Sequence, residues 1–286
     1  MLKGMSMTSV KIILRTTIFI LFVALVSGCS NDNSDMDKSQ KILFLHHSTG
    51  KCIWRGGISK YADKLGLKGA VEKWFNKYNR HNNTNYIIGE KEFPTKTEYG
   101  WKNYPYDYYN IWVKNAGNEL YMSEPTLELL TKEYDLIIFK HCYPVGKLIE
   151  SSSPASIDSE EKTIENYKLQ YNAIKEKLHE FPETKFLLWT GAAMVKNKTN
   201  EKAARQTREF FSWIINEWDE QGDNIFLWDF YELETEGGIY LKDKYAVNNN
   251  NSHPNDKFSK VVAPYFCQRI VDVLEGRGDS GSLIGK

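Results

Sequence analysis

The chain carries no excess of either charge and no run of lysine and arginine: 37 basic residues face 37 acidic ones over 286 residues. Without a basic stripe it offers no electrostatic footprint for nucleic acid, and that class of partner is excluded. Cysteine is scarce, at four residues, and no two stand in a CxxC pair, which removes the usual spacing of a zinc or dithiol site. No internal repeat is visible, so solenoids and propellers drop out. No apolar run reaches the ~20 residues of a membrane-spanning helix.

What stands near the start is shorter. Lys3, Lys11 and Arg15 precede an apolar run at 18–26, followed by the small residues Ser27 and Gly28. A basic head, a brief apolar stretch and small residues describe an export signal over 1–28. Leu25, Val26, Ser27, Gly28 and Cys29 together resemble a bacterial lipobox, in which cleavage leaves the cysteine at the new amino terminus for lipid attachment. On that reading Cys29 is lipidated and the protein sits on the exported side of the bacterial cell envelope, held to a membrane by its lipid. The alternative is an ordinary signal peptide with an incidental cysteine. Loss of the signal removes three cations and no anion, leaving 34 basic against 37 acidic residues.

Residues 29–40 have almost no apolar side chain, so they read as a flexible tether that contributes nothing to a core. Cys52, Cys142 and Cys267 remain, an odd number for an oxidising compartment. Cys52 and Cys142 each follow a predicted strand end; pairing with one another and persistence as buried thiols are both open.

Brief runs rich in Ile, Leu, Phe and Trp at 41–46, 85–88, 135–140, 185–190 and 224–230 read as buried strands. Between them, Ile164, Tyr167, Tyr171, Ile174 and Leu178 recur at helical spacing, with Asp158 and Glu161 placed as a capping box and Pro182 beyond the end. Thr207, Phe211, Ile214 and Trp218 form a second stripe, closed by Gly222. Further helices are expected over 58–78 and 258–274. Strands alternating with helices imply right-handed crossovers and hence a three-layer α/β/α sandwich around a parallel sheet, flavodoxin-like, with its site at the carboxyl ends of the strands. A single domain over 41–276 is expected, followed by a disordered tail at 277–286.

Residues 94–112 interrupt the alternation with Tyr99, Trp101, Tyr104, Tyr106, Tyr108, Tyr109 and Trp112, and read as a long self-packed loop. Aromatic faces stack on sugar rings, which makes Trp101, Tyr104 and Trp112 candidate substrate-binding residues. The competing reading is that they staple the loop to the body.

Ser48 follows the first strand and His253 lies late, before the last helix. A serine hydroxyl is hardly ionised at neutral pH and needs a base within reach, usually histidine. The order of these pieces resembles the SGNH (GDSL) hydrolase superfamily. That family places its serine after the first strand, a glycine in a second block, an asparagine in a third block after another strand, and a DxxH element near the carboxyl end. Here Asn115, Ala116 and Gly117 precede the strand at 135–140, and His253, Pro254 and Asn255 precede Phe258 and Ala263. The resemblance implies Ser48 as nucleophile, His253 as base, Asn250 at the position of its acidic partner, and an oxyanion held by the backbone N–H groups of Ser48 and Gly117, with His141 or His47 as a third donor. It departs from the family in three places: His46 and His47 replace the Gly-Asp before the serine, the segment 140–144 lacks the third-block asparagine, and Asn250 is uncharged. Asp229 is a candidate replacement carboxylate, although a cap or turn role suits it better.

The expected activity is that of an exported serine esterase acting on a carbohydrate ester without metal or cofactor, as a monomer, with acyl transfer to a sugar hydroxyl also open. A non-catalytic glycan-binding lipoprotein on the same fold is the alternative. A third reading groups His46, His47, His141 and His253 as metal ligands in a phosphoesterase-like site.

Overall fold

The structure is a computed structural model and describes residues 39–286 apart from 60, 62–64, 96, 97 and 101. The export signal over 1–28, Cys29, the tether up to residue 38 and Trp101 lie outside the described residues. Among the described residues no helix is long and apolar enough to cross a membrane.

Five strands form one sheet: β1 (Gln40–His46), β2 (Tyr86–Glu92), β3 (Leu136–Lys140), β4 (Lys185–Trp189) and β5 (Ile225–Trp228). The order is β2-β1-β3-β4-β5 and every pairing is parallel. The near-continuous apolar runs follow from burial on both faces. Alternation divides each strand between two cores: Leu43, Leu45, Ile137, Phe139 and Leu188 face one way, whereas Ile42, Phe44, Leu136, Ile138 and Trp189 face the other.

Helices cover both faces, giving the expected three layers. Helix α1 (Ser48–Arg55), α2 (Ala70–Asn82) and the carboxyl-terminal α8 (Asp256–Leu274) pack with the second set of strand residues. The first set is covered by α3 (Pro105–Tyr109), the four-residue α4 (Leu127–Leu130), α5 (Ile164–His179) and α6 (Glu201–Trp213). A short α7 (Phe230–Thr235) follows β5, and a hairpin of β6 (Ala246–Asn248) and β7 (Asn251–Pro254) precedes α8.

Several expectations are corrected. Of the helix predicted over 58–78, the described residues show α2, which begins at Ala70 and runs on to Asn82. The amino-terminal cap of α5 is Thr163, whose hydroxyl accepts from the Asn166 N–H, and not the pair Asp158 and Glu161. The loop at 94–112 contains α3, continued by a wider turn at Asn110–Lys114. The tail at 277–286 is ordered against the sheet: the Asp229 N–H donates to the Leu283 carbonyl at 2.8 Å and the Trp228 indole donates to the Ile284 carbonyl at 3.2 Å. Cys142 is a free thiol, so the bridge to Cys52 is not formed.

Candidate active site

The residue after β1 turns the chain directly into α1. His47 is extended (φ −128°, ψ −177°) and caps the helix without a side-chain hydrogen bond, so Ser48 occupies the first turn, where backbone N–H groups point outward and the helix dipole favours negative charge. Gly50 permits this tight turn, since a Cβ there would lie 2.6 Å from both Cβ and Cγ of His46. Ser48 is half-buried, and its Oγ lies 3.3 Å from Cys142 Sγ. Thr49 Oγ1 approaches the same sulfur at 3.7 Å.

His253 arrives from the hairpin and is also half-buried. Its ring meets Tyr143 edge to face at 5.3 Å, and Tyr143 adjoins Cys142, whose sulfur contacts Ser48. The ring Nδ1 lies 2.7 Å from Asn251 Oδ1, and the backbone N–H of His253 donates to the same oxygen at 3.1 Å. That oxygen therefore accepts twice, which places the ring proton on Nδ1.

Asn250, three residues before His253, is exposed and bonds through its N–H to Asn248 Oδ1 at 2.9 Å. It is not the orienting residue. In an extended strand residues i and i+2 share a face, so Asn251 reaches the ring and Asn250 points away.

His141 is likewise no oxyanion donor. Strand alternation turns it to the opposite face, where it is fully buried, meets the Tyr171 hydroxyl at 2.5 Å and packs on Tyr108. Gly117 is also removed from that role, because its N–H already donates to Glu128 Oε2 at 3.1 Å. His47 donates from Nε2 to the Pro94 carbonyl at 2.6 Å, and Asp229 caps α7 by accepting from the Glu232 N–H. His46 faces Glu90 at 2.6 Å. The four histidines thus face different partners, and among the described residues no group of three metal-ligating side chains is placed to hold an ion.

The aromatic insertion is no sugar platform at two of the residues expected; the third, Trp101, lies outside the described residues. Tyr104 and Trp112 are buried in the core. The insertion is tied to the ends of β2 and β3: Asn103 donates to the Phe93 carbonyl at 2.7 Å, its own carbonyl accepts from the Cys142 N–H at 3.3 Å, and the Tyr108 hydroxyl donates to the Lys140 carbonyl at 2.7 Å.

Sequence reasoning missed a buried charged group behind the serine. Lys140 is fully buried, its ammonium donates to the His141 carbonyl at 2.6 Å and it lies 5.6 Å from the Trp189 ring centre. Glu234 is equally buried; one oxygen accepts from the Ala193 N–H while Oε2 has no hydrogen-bond partner. Burial holds the Lys140 ammonium below its usual range and pushes the Glu234 carboxyl well above the range of carboxylates. The available signal was parity: Lys140 and Cys142 continue the face of Leu136 and Ile138, and Cys142 stands where the third-block asparagine would.

No family model and no curated protein matches the chain. Among solved structures, a gut microbial diltiazem-metabolizing enzyme is 13% identical with a TM-score of 0.47, over 84% of this chain and 47% of that one; this chain thus spans about half its length. A variant of an acetyl xylan esterase from Geobacillus stearothermophilus is 13% identical (TM-score 0.46), over 79% of this chain and 92% of that one. A GDSL-like lipase from Bacteroides thetaiotaomicron is 9% identical (TM-score 0.39), over 90% and 98%. The chain's own five parallel strands, clad by helices on both faces, form the α/β/α architecture that the resemblance to SGNH hydrolases implies.

Proposed function

We infer that the protein is an exported, lipid-anchored serine hydrolase that deacylates a carbohydrate ester. Support for this reading comes from Ser48 in the first turn of α1, in contact with Cys142, and from His253, whose ring is oriented by Asn251 and packs on Tyr143, the neighbour of Cys142. His253 Nε2 takes the Ser48 proton as Oγ attacks the acyl carbon. The backbone N–H groups of the first turn of α1 face the oxyanion, the resulting imidazolium protonates the departing alkoxide, and water releases the acyl-enzyme by the reverse proton path. Asn251 orients the ring but lends it no charge, so the imidazolium is less stabilised than beside a carboxylate.

A sugar substrate is supported by the outer side of the insertion. Tyr99, Tyr106 and Tyr121 line an open groove of about 390 Å³ together with Asn110 and Asn115, a mixture of aromatic faces and amides that suits a polyhydroxylated ring. Lipid attachment at Cys29 rests on the lipobox alone. A glycan-binding lipoprotein without turnover is the second reading, favoured by the uncharged Asn251 and the missing third-block asparagine.

Purified mature protein assayed on p-nitrophenyl acetate and on acetylated polysaccharides separates the two. Turnover that falls by about 10³-fold or more in both Ser48→Ala and His253→Ala supports the hydrolase. Undetectable turnover, or turnover surviving both substitutions, ends it.

A further inference from the structure

Beside the nucleophile, where a neutral amide would be expected, stands an ionisable thiol backed by a buried ammonium. Cys142 Sγ contacts the Ser48 and Thr49 hydroxyls at 3.3 Å and 3.7 Å, and is itself only 1% exposed. Beneath it, Lys140 and Glu234 are both at 0% exposure, and Glu234 Oε2 is left without a hydrogen-bond partner. Such groups are costly to keep in a dry interior, and hydrophobic neighbours on every strand show that apolar packing was possible here. Their burial, with Lys140 at the end of β3 two positions before the cysteine whose sulfur touches Ser48 and Glu234 on α7, points to a role in the reaction.

We propose that Cys142 is a positioning residue for Ser48 whose protonation, set by the Lys140 and Glu234 pair beneath it, switches the serine between a reactive and an unreactive hydrogen-bonding state. The inference rests on the hydrolase reading above. As a thiol, Sγ–H donates to Ser48 Oγ and leaves the serine proton available to His253. As a thiolate, sulfur accepts the serine proton in a hydrogen bond, turns it from the base, and sets a negative charge beside the forming oxyanion. No bond other than a hydrogen bond changes in the switch.

The groups facing the sulfur decide where it titrates. Burial alone would raise the thiol, but the Lys140 ammonium and the hydroxyls of Ser48 and Thr49 more than offset it and leave it below the usual thiol range. Around that ammonium stand Glu234, next to the loop after β4, Cys52 on α1, and His46 at the end of β1. Tyr143 follows the sulfur in the chain and carries the His253 contact. Turnover is therefore lost as pH rises through the Cys142 titration, earlier than an ordinary thiol would ionise.

The test follows thiolate formation by ultraviolet absorbance as the difference between the mature protein and Cys142→Ser, alongside kcat and KM against pH and labelling of Ser48 by a fluorophosphonate. The expected result is a thiolate forming below the free-cysteine range, moved to higher pH by Lys140→Met and kept in place by Lys140→Arg. Over the same interval kcat falls about tenfold with KM unchanged, and in Cys142→Ser this alkaline fall disappears. A titration unmoved by Lys140→Met, or an alkaline limb that persists in Cys142→Ser, overturns the proposal; the latter decides it even where Lys140→Met does not fold. Absence of Ser48 labelling in every variant overturns the hydrolase reading together with this one, whereas labelling with an unaltered pH profile overturns this inference alone.

Discussion

His253 Nδ1 and Asn251 Oδ1 lie 2.7 Å apart, two positions along one extended strand. Asn251→Ala is therefore expected to lower kcat by about tenfold or more with little change in KM, because the ring loses its tautomer and aim. Asn250→Ala should leave both constants unaltered. Asn251→Asp should raise kcat by about tenfold by placing a charge against the imidazolium. Steady-state kinetics of the three variants, with melting curves to confirm folding, check the assignment; an effect confined to Asn250 would refute it.

Gly50 lies against the His46 ring, with no room for a Cβ. Gly50→Ala should cost about 2–3 kcal/mol of stability, as overpacking a rigid turn does, and should depress turnover further by shifting Ser48. Denaturant unfolding measures the first effect. Gly66→Ala, at a position with open space around it, controls for loss of glycine alone, although its positive φ adds a smaller strain.

Asp219 stabilises the fold only while protonated. Burial first, then the charges of Asp223 and Asp279, push its carboxyl up to about 7, and its Oδ1 has no hydrogen-bond partner. A folded-state value above the unfolded one means that stability falls as pH rises between the two, from roughly 4 to 7. Asp219→Asn should therefore stabilise the protein at pH ~8 by about 1–2 kcal/mol, a modest figure because the side chain keeps some water contact, and should have no benefit at pH ~4. Unfolding midpoints at the two pH values decide it.

The ordered tail makes a separate prediction. Removing residues 277–286 strips the acceptor from the Trp228 indole and from the Asp229 N–H, and uncovers the surface beneath Leu283. The loss should be about 2–4 kcal/mol, read by thermal unfolding of the truncated chain. An unchanged midpoint would mean that the tail contributes nothing.

The sheet was legible because strands buried on both faces leave short, dense apolar runs, and all five were placed within a few residues. What escaped detection is local. Helix α1 is eight residues long and too short for a periodic stripe. In the insertion, Tyr104, Tyr108 and Trp112 do recur at four-residue spacing, as a helix burying one side requires, but Tyr106 and Tyr109 fill intervening positions and mask it. The partner of His253 was misplaced by one residue because the family spacing of three was carried onto a chain whose local conformation is extended. Strand parity placed Lys140 on a buried face, but nothing in the sequence marked Glu234 as the carboxyl that would lose its water beside it.

β1, the first described strand in chain order, is an interior strand flanked by β2 and β3, and is roofed on one face by α8, the last described helix. The proposed nucleophile and base, Ser48 and His253, lie 205 residues apart in the chain, so a nascent chain carries Ser48 long before it holds His253. On the proposed hydrolase reading, a fragment of this chain ending before the hairpin lacks the base and is inert toward esters.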